Sequence, residues 1–173
     1  MTAQNRYLSG DINSVLAPVK GATVIETGDL LFLNNAGGLL NSTSTVDNYV
    51  YPISDLKPAS GGLQTANSLY TTFYGVAMGS SKSGVTEKIT VAVSGLFRYP
   101  LHPTYQTSAV TLGALISAVS NEIAAGVSKD YVILTTTNPG STAYLGYCQK
   151  TESAATFVDF EIMTAFGPFG VAS

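Results

Sequence analysis

The chain has 173 residues, of which 45% are apolar and only 11% are charged, with a formal net charge of −3. Soluble proteins have about 25% charged residues, and the eight Lys and Arg here exclude a nucleic-acid binder that relies on clustered basic side chains. One Cys excludes an intramolecular disulfide, and two His and Cys in total exclude a usual zinc site.

The N-terminal segment has scattered apolar positions without a sustained period. It predicts an irregular arm over residues 1–20, followed by one β domain over residues 21–173. No apolar core follows Arg6, so no secretory signal peptide is expected. No stretch reaches the ~18 consecutive apolar residues of a membrane span. We therefore expect a protein made in the cytosol, without a membrane partner.

Short strands separated by turn residues follow in chain order. The clearest alternation lies within residues 87–95, where Ile89, Val91 and Val93 point to one face. One short helix is predicted at 121–125 and a long loop at 53–69, and no repeat of about 20 to 50 residues is visible. This pattern predicts an all-β barrel or sandwich. The predicted strands lie within 22–27, 30–33, 48–51, 71–78, 87–95, 96–99, 111–118, 131–135, 143–148 and 157–163.

Chemistry-bearing residues are few. His102 lies in a predicted turn and is expected to pack there or at the surface, and Cys148 is expected to be a small buried side chain. Asp159 and Glu161 share one face of a predicted strand, where a solvated face is favoured over a cation site or a glycosidase pair. The Ser-x-x-Lys pattern at 54–57 has no Lys-Thr-Gly partner. The sequence predicts no catalytic residue, no metal site and no cofactor.

The composition instead favours contacts with other proteins. Ten Tyr and seven Phe are mixed with Ser, Thr, Asn and 17 Gly. Tyr buries a large area at low entropy cost, and hydroxyls and amides form adaptable hydrogen bonds. An assembly subunit is favoured over the alternative, a secreted β-sandwich whose hydroxyls are simply hydrated.

The order of five segments resembles the capsid decoration, or cement, proteins of tailed bacteriophages over about residues 22–163. The chain departs from that family by its long 39–69 segment and by Val-Thr-Leu-Gly at 110–113, where the family often has Gly-Asp. The segments are Glu-Thr-Gly-Asp-Leu-Leu-Phe at 26–32, Phe-Tyr-Gly-Val-Ala at 73–77, Ile-Thr-Val-Ala-Val-Ser-Gly-Leu-Phe-Arg-Tyr-Pro-Leu at 89–101, Val-Thr-Leu-Gly-Ala-Leu at 110–115 and Ala-Tyr-Leu-Gly-Tyr at 143–147.

This resemblance implies a small β-barrel of the β-tulip or SH3-like type that binds the outer surface of the mature virion head. The implied partners are the major capsid protein and further copies of the chain, as a homotrimer. No catalytic residue, cofactor, nucleic-acid partner or membrane partner is carried over. Binding to the expanded lattice, and not to free subunits, would stabilise the head against internal pressure by mass action.

The arm is the predicted contact with the capsid, with Arg6, Tyr7 and Leu8 as anchors, because a free tail does not need such apolar groups. A frayed terminus is the alternative for this segment. The alternative function is a carbohydrate-binding or adhesive β-module of a phage tail or fibre, in which Tyr side chains stack on sugars. An enzyme on a β-fold is disfavoured by the single His and the scattered carboxylates.

Overall fold

The computed structural model describes residues 7–34, 47–55, 73–103, 106, 109–118, 131–135 and 144–164. These ranges contain eleven β-strands and a 3-10 turn at Ile53–Asp55. They contain no helix long and apolar enough to cross a membrane. The strands are β1 (Tyr7–Ser9), β2 (Ser14–Ala17), β3 (Leu30–Leu33), β4 (Val50–Pro52), β5 (Phe73–Ala77), β6 (Ile89–Ala92), β7 (Leu96–Pro100), β8 (Leu115–Ala118), β9 (Val132–Thr135), β10 (Gly146–Cys148) and β11 (Phe157–Ile162).

The strands form two antiparallel sheets. The first sheet has the order β2-β6-β5-β3-β4 and the second has the order β1-β7-β11-β10-β8-β9. Both contribute to one hydrophobic core, in which Phe32 and Phe73 of the first sheet lie with Phe97, Tyr99 and Phe160 of the second. Within the described ranges the sheets are not closed into a barrel. The all-β prediction is therefore confirmed and the layers resemble a sandwich, whereas the β-tulip or SH3-like barrel type is not confirmed.

The two sheets repeat one topology. Strands β2–β6 make a first unit and β7–β11 a second, and each unit has its own strands in the order first, fifth, fourth, second, third. Strand β1 is added at the edge of the second unit. The register also repeats over most of the paired residues, so pairs of one unit have counterparts in the other. Examples are Val15–Val91 and Phe97–Phe160, Ala77–Val91 and Cys148–Phe160, and Leu31–Gly75 and Ile116–Gly146.

The turn that enters the second strand is also repeated. Gly28 and Gly113 both have positive φ, at 94° and 81°, a region that glycine adopts without steric cost. The Gly28 N–H donates to the Ala77 carbonyl at 2.7 Å, and the Gly113 N–H donates to the Cys148 carbonyl at 2.8 Å. The repeat therefore includes a loop as well as the strands. Its period is longer than about 20 to 50 residues, the range in which the sequence shows no repeat.

Much of the first sheet is buried on both faces, although Leu16 and Thr90 are exposed. One face contributes to the shared core, and the other carries a separate apolar cluster inside the first unit. Residues of the 18–29 connection complete this second cluster, because Val19 and Ile25 are almost fully buried there. The second cluster consists of Ala17, Val19, Ile25, Leu31, Val50, Ala77, Ile89 and Val91.

The N-terminal segment is not irregular where it is described. Tyr7 of β1 pairs with Phe97, and β2 pairs with β6 along its whole length. The prediction of an irregular arm is wrong for residues 7–17, because strands of three or four residues are too short to show a clear period in the sequence. The domain boundary at residue 20 stays a prediction.

Most strand predictions are confirmed, with shifted ends. Ile89, Val91 and Val93 are buried as their alternation indicates. The predicted strand over 22–27 is wrong, because only Ile25 forms an isolated bridge there, with Ser81. The predicted helix at 121–125 lies outside the described residues.

Candidate contact surface

The second unit presents one face of its sheet away from the shared core. Along β11, Val158, Phe160 and Ile162 are buried and the intervening side chains point outward. Register extends this face across β7, β10 and β8, because residues directly opposite in a sheet share a face. We call it the outer face; its exposed or half-buried members are Leu96, Arg98, Leu115, Tyr147, Phe157, Asp159 and Glu161.

An ion pair lies at the centre of the outer face. The Arg98 Nε and Nη2 atoms donate to the two carboxylate oxygens of Asp159 at 2.6 and 2.8 Å. The hydrogen bonds from Arg98 to Asp159, followed by the attraction of its charge, raise the pKa of the Arg98 guanidinium. Arg98 is half exposed, at 51% of its side-chain surface, so the pair adds little to stability. It neutralises charge on the face and holds two flat polar groups in one plane.

Aromatic and amide groups lie beside this pair. Tyr147 is opposite Glu161 in the register, and the Gln149 Nε2 atom donates to the Glu161 carboxylate at 3.1 Å. The rings of Tyr144 and Tyr147 have centroids 5.4 Å apart. Hydrogen bonding to Tyr147, followed by burial, raises the pKa of Tyr144. Phe157 is 47% exposed at the end of β11, so this region combines apolar contact area with three charged side chains that are held by ion pairing or hydrogen bonding.

The equivalent face of the first unit is exposed at Leu16 and Thr90, the counterparts of Arg98 and Asp159, but is buried farther across the sheet. Val76 and Ala92 occupy the positions that Tyr147 and Glu161 occupy in the second unit, and both are within 1% of full burial. They belong to the core that the two units share. At these two positions the face of the first sheet packs in the shared core, whereas the same face of the second sheet is open.

The predicted N-terminal anchors are only partly placed on the surface. Arg6 lies outside the described residues. The Tyr7 ring packs edge-on against Phe97, with centroids 5.8 Å apart, and its hydroxyl donates to the Gly10 carbonyl at 2.6 Å. Leu8 is 39% exposed. Tyr7 thus packs β1 against the shared core. Of the two predicted capsid contacts that the structure describes, Leu8 is the one whose side chain is exposed.

The other candidate residues have structural surroundings. Cys148 is buried, its Sγ donates to the Lys150 carbonyl at 2.9 Å, and burial raises the pKa of its thiol. His102 is buried against the edge of the Tyr131 ring, with centroids 5.8 Å apart. Asp159 and Glu161 do share a strand face, but their side chains are bound by Arg98 and Gln149. No group of three or more His, Cys, Asp or Glu in the described ranges is arranged to hold a metal ion.

Sequence reasoning found part of the outer face and missed the rest. The alternation in 157–163 predicts the outward positions of β11. Arg98, Tyr147 and Leu115 join that face only through strand order and register, which local patterns do not encode. Of the 54–57 pattern, residues 56 and 57 lie outside the described ranges.

Comparison with known proteins gives little more. No family model and no curated protein matches the chain. Among solved structures, the chain is similar to the head fiber gp8.5 N base in bacteriophage phi29, with 12% sequence identity and a TM-score of 0.44. The match covers 87% of this chain and 94% of that chain.

Proposed function

We propose that this chain is a structural protein of a phage virion that binds the exterior of the capsid and stabilises the expanded head. The observation that carries the proposal is the outer face, an open sheet surface that combines Phe157, Tyr147 and two Leu side chains with the paired charges of Arg98 and Asp159. Its counterpart in the first unit contributes Val76 and Ala92 to the core that the two units share. The resemblance of residues 22–163 to decoration proteins supports the capsid as the partner. The homotrimer implied by that resemblance is part of this proposal.

The chemistry of the outer face fits such a contact. Tyr, Phe and Arg are enriched in the centres of protein interfaces, whereas Lys and Glu are depleted. Because Arg98 and Asp159 neutralise each other, binding would depend mainly on apolar area and would lose little affinity in high salt. Several modest contacts from one oligomer would together give tight attachment.

The test is binding of the purified chain to cognate expanded heads and to unassembled capsid subunits, measured by cosedimentation and electron microscopy. We expect binding to heads alone. Leu115→Lys and Phe157→Lys should each reduce occupancy at least about tenfold. Leu16→Lys is the matched control, since Leu16 is 62% exposed on the first unit, outside the outer face. Full occupancy by both outer-face variants would show that this surface is not the contact, and absence of any head binding would overturn the function.

A second candidate function is binding of neutral saccharides. The Tyr144–Tyr147 pair lies beside the hydrogen-bonded Gln149 and Glu161, and aromatic rings with amide and carboxylate groups are suited to stacking on sugars and binding their hydroxyls. Binding to a glycan array, lost in Tyr147→Ala and without binding to heads, would favour this function over capsid attachment.

A further inference from the structure

The first unit is closed at one point by its own backbone. Val19, just after β2, forms a parallel bridge with Val50 of β4, the strand at the opposite edge of the sheet. The Val50 N–H donates to the Pro18 carbonyl at 3.0 Å. A single bridge is a weak closure, because one net hydrogen bond contributes only about 1 kcal/mol.

A carboxylate next to this bridge collects four donors. Asp47 accepts hydrogen bonds from the Lys20 amine at 3.2 Å, the Asn34 side-chain amide at 3.1 Å, the Tyr49 backbone N–H at 3.3 Å and the Tyr51 hydroxyl at 2.5 Å. Lys20 follows the bridging Val19, Asn34 follows β3, and Tyr51 lies in β4. One side chain therefore ties together the segments that meet at the closure.

This network depends on the charge of Asp47. Its side chain is only 15% exposed, and burial raises its pKa, but the hydrogen bonds from Tyr51, Asn34, Tyr49 and Lys20 outweigh burial and leave the pKa below the usual 3.8. A carboxylate with a lowered pKa stabilises the folded state above its ordinary pKa, and this contribution is lost as the pH falls through the lowered value. Burial and the bond to Asp47 raise the pKa of Tyr51, so its hydroxyl remains a donor at neutral pH.

The second unit closes at the equivalent place with different side chains at the described positions. Leu101 bridges Val132 of β9, and the His102 N–H donates to the Val132 carbonyl at 2.9 Å. By the repeated register, His102 takes the place of Lys20, and Ile133 takes the place of Tyr51. In the second unit an imidazole and an aliphatic side chain thus occupy the positions from which the amine and the phenol bind Asp47 in the first unit.

We propose that Asp47 is an acid-sensitive latch that holds the first unit closed at neutral pH and releases it in acid, while the second unit stays closed. Protonation would remove the charge that Lys20 and Tyr51 bind, and the Val19–Val50 bridge would open. The titratable groups that face the latch are Lys20, Tyr49, Tyr51 and Asp55. Of these, only Asp55 ionises in the same acid range as Asp47.

The test is amide hydrogen exchange of the full chain from neutral pH to about pH 2, corrected for the intrinsic exchange rate. The Val50 amide reports on the first closure, and the His102 amide reports on the second. We expect protection of Val50 to fall at least about tenfold in acid while that of His102 is unchanged. Tyr51→Phe should move the midpoint to higher pH, because the charged carboxylate loses one donor.

Two variants separate the latch from a general effect of acid. Asp47→Asn should make Val50 protection independent of pH over this range. Asp159→Asn is the matched control, because Asp159 is also 15% exposed and ion-paired, but in the second unit, and it should leave the Val50 response unchanged. The proposal is wrong if Val50 stays protected at low pH, if Asp47→Asn keeps the wild-type response, or if Val50 and His102 lose protection together.

Discussion

The two five-stranded units have the same strand order and register but use their side chains differently. Three interior positions of the first and fifth strands carry Ala or Val in the first unit and an aromatic residue in the second. The smaller residues lie in or against the separate apolar cluster of the first unit, whereas the aromatic ones lie in the shared core. Here the Tyr99 hydroxyl donates to the Gly28 carbonyl at 2.6 Å. The equivalent residues are Val15 and Phe97, Ala17 and Tyr99, and Val91 and Phe160.

The other faces of the two sheets also differ, and there the more polar side chains belong to the second unit. The first unit carries apolar residues such as Val76 and Ala92 where the second carries Tyr147 and Glu161. The first unit therefore contributes its outer face to the fold, and the second keeps its outer face for solvent or a partner. One backbone plan thus places the same two positions in the core of one unit and at the surface of the other.

Gly75 and Gly146 lie at equivalent positions where the fourth and fifth strands of each unit approach closely. Substituting them tests whether both units need this close approach of the two backbones. A Cβ added to Gly146 would overlap the Glu161 carbonyl, and one added to Gly75 would overlap the Ala92 carbonyl. We expect Gly146→Ala and Gly75→Ala each to lower the free energy of unfolding by about 2–4 kcal/mol, measured by chemical denaturation.

Two other glycines provide graded controls for this prediction. Gly113 has positive φ but open space around it, so Gly113→Ala should cost only about 1 kcal/mol. Gly79 has neither constraint, and Gly79→Ala should be neutral within about 0.5 kcal/mol. Equal losses in all four variants would contradict close backbone packing as the cause.

The sequence predicts the strands better than their arrangement, for a physical reason. Alternation is local, so residues 87–95 and 157–163 reveal which side chains are buried. The repeat is different, because the two units share little more than the backbone requirements at Gly28 and Gly113 and at Gly75 and Gly146. Hydrophobic side chains of different size satisfy the same register, so the repeat appears only when the pairs are compared.

The candidate contact surface shows the same limit. Phe157 could be placed on an outward strand face from its neighbours, but its surroundings depend on β7, where it pairs with Pro100 and which is distant in the chain. The latch was also missed, because Asp47, Lys20 and Asn34 come from separate segments. A lone carboxylate in a polar stretch gives no local signal.

The hydrogen bond from the Tyr99 hydroxyl to the Gly28 carbonyl links the two units and provides the next prediction. Tyr99→Phe removes the buried hydrogen bond to Gly28 and leaves its carbonyl with one donor fewer, so we expect a loss of about 1–2 kcal/mol. Tyr7→Phe is a close control, since the Tyr7 hydroxyl also donates to a glycine carbonyl at 2.6 Å, but in an exposed place, and it should lose about 0.5 kcal/mol. Denaturant midpoints of the two variants measure the difference. An equal loss in both would argue against a buried joint between the units.

The smallest effect on stability is expected at the ion pair of the outer face. Arg98→Leu places there the residue type that Leu16 supplies at the equivalent position of the first unit. Because Arg98 is half exposed, we expect the free energy of unfolding to change by less than about 0.5 kcal/mol. Occupancy on cognate heads should nevertheless fall, because Asp159 would lose its counterion in the contact. A large loss of stability with unchanged head binding would assign the pair to the fold, and the outer faces of the two units would then serve the same purpose.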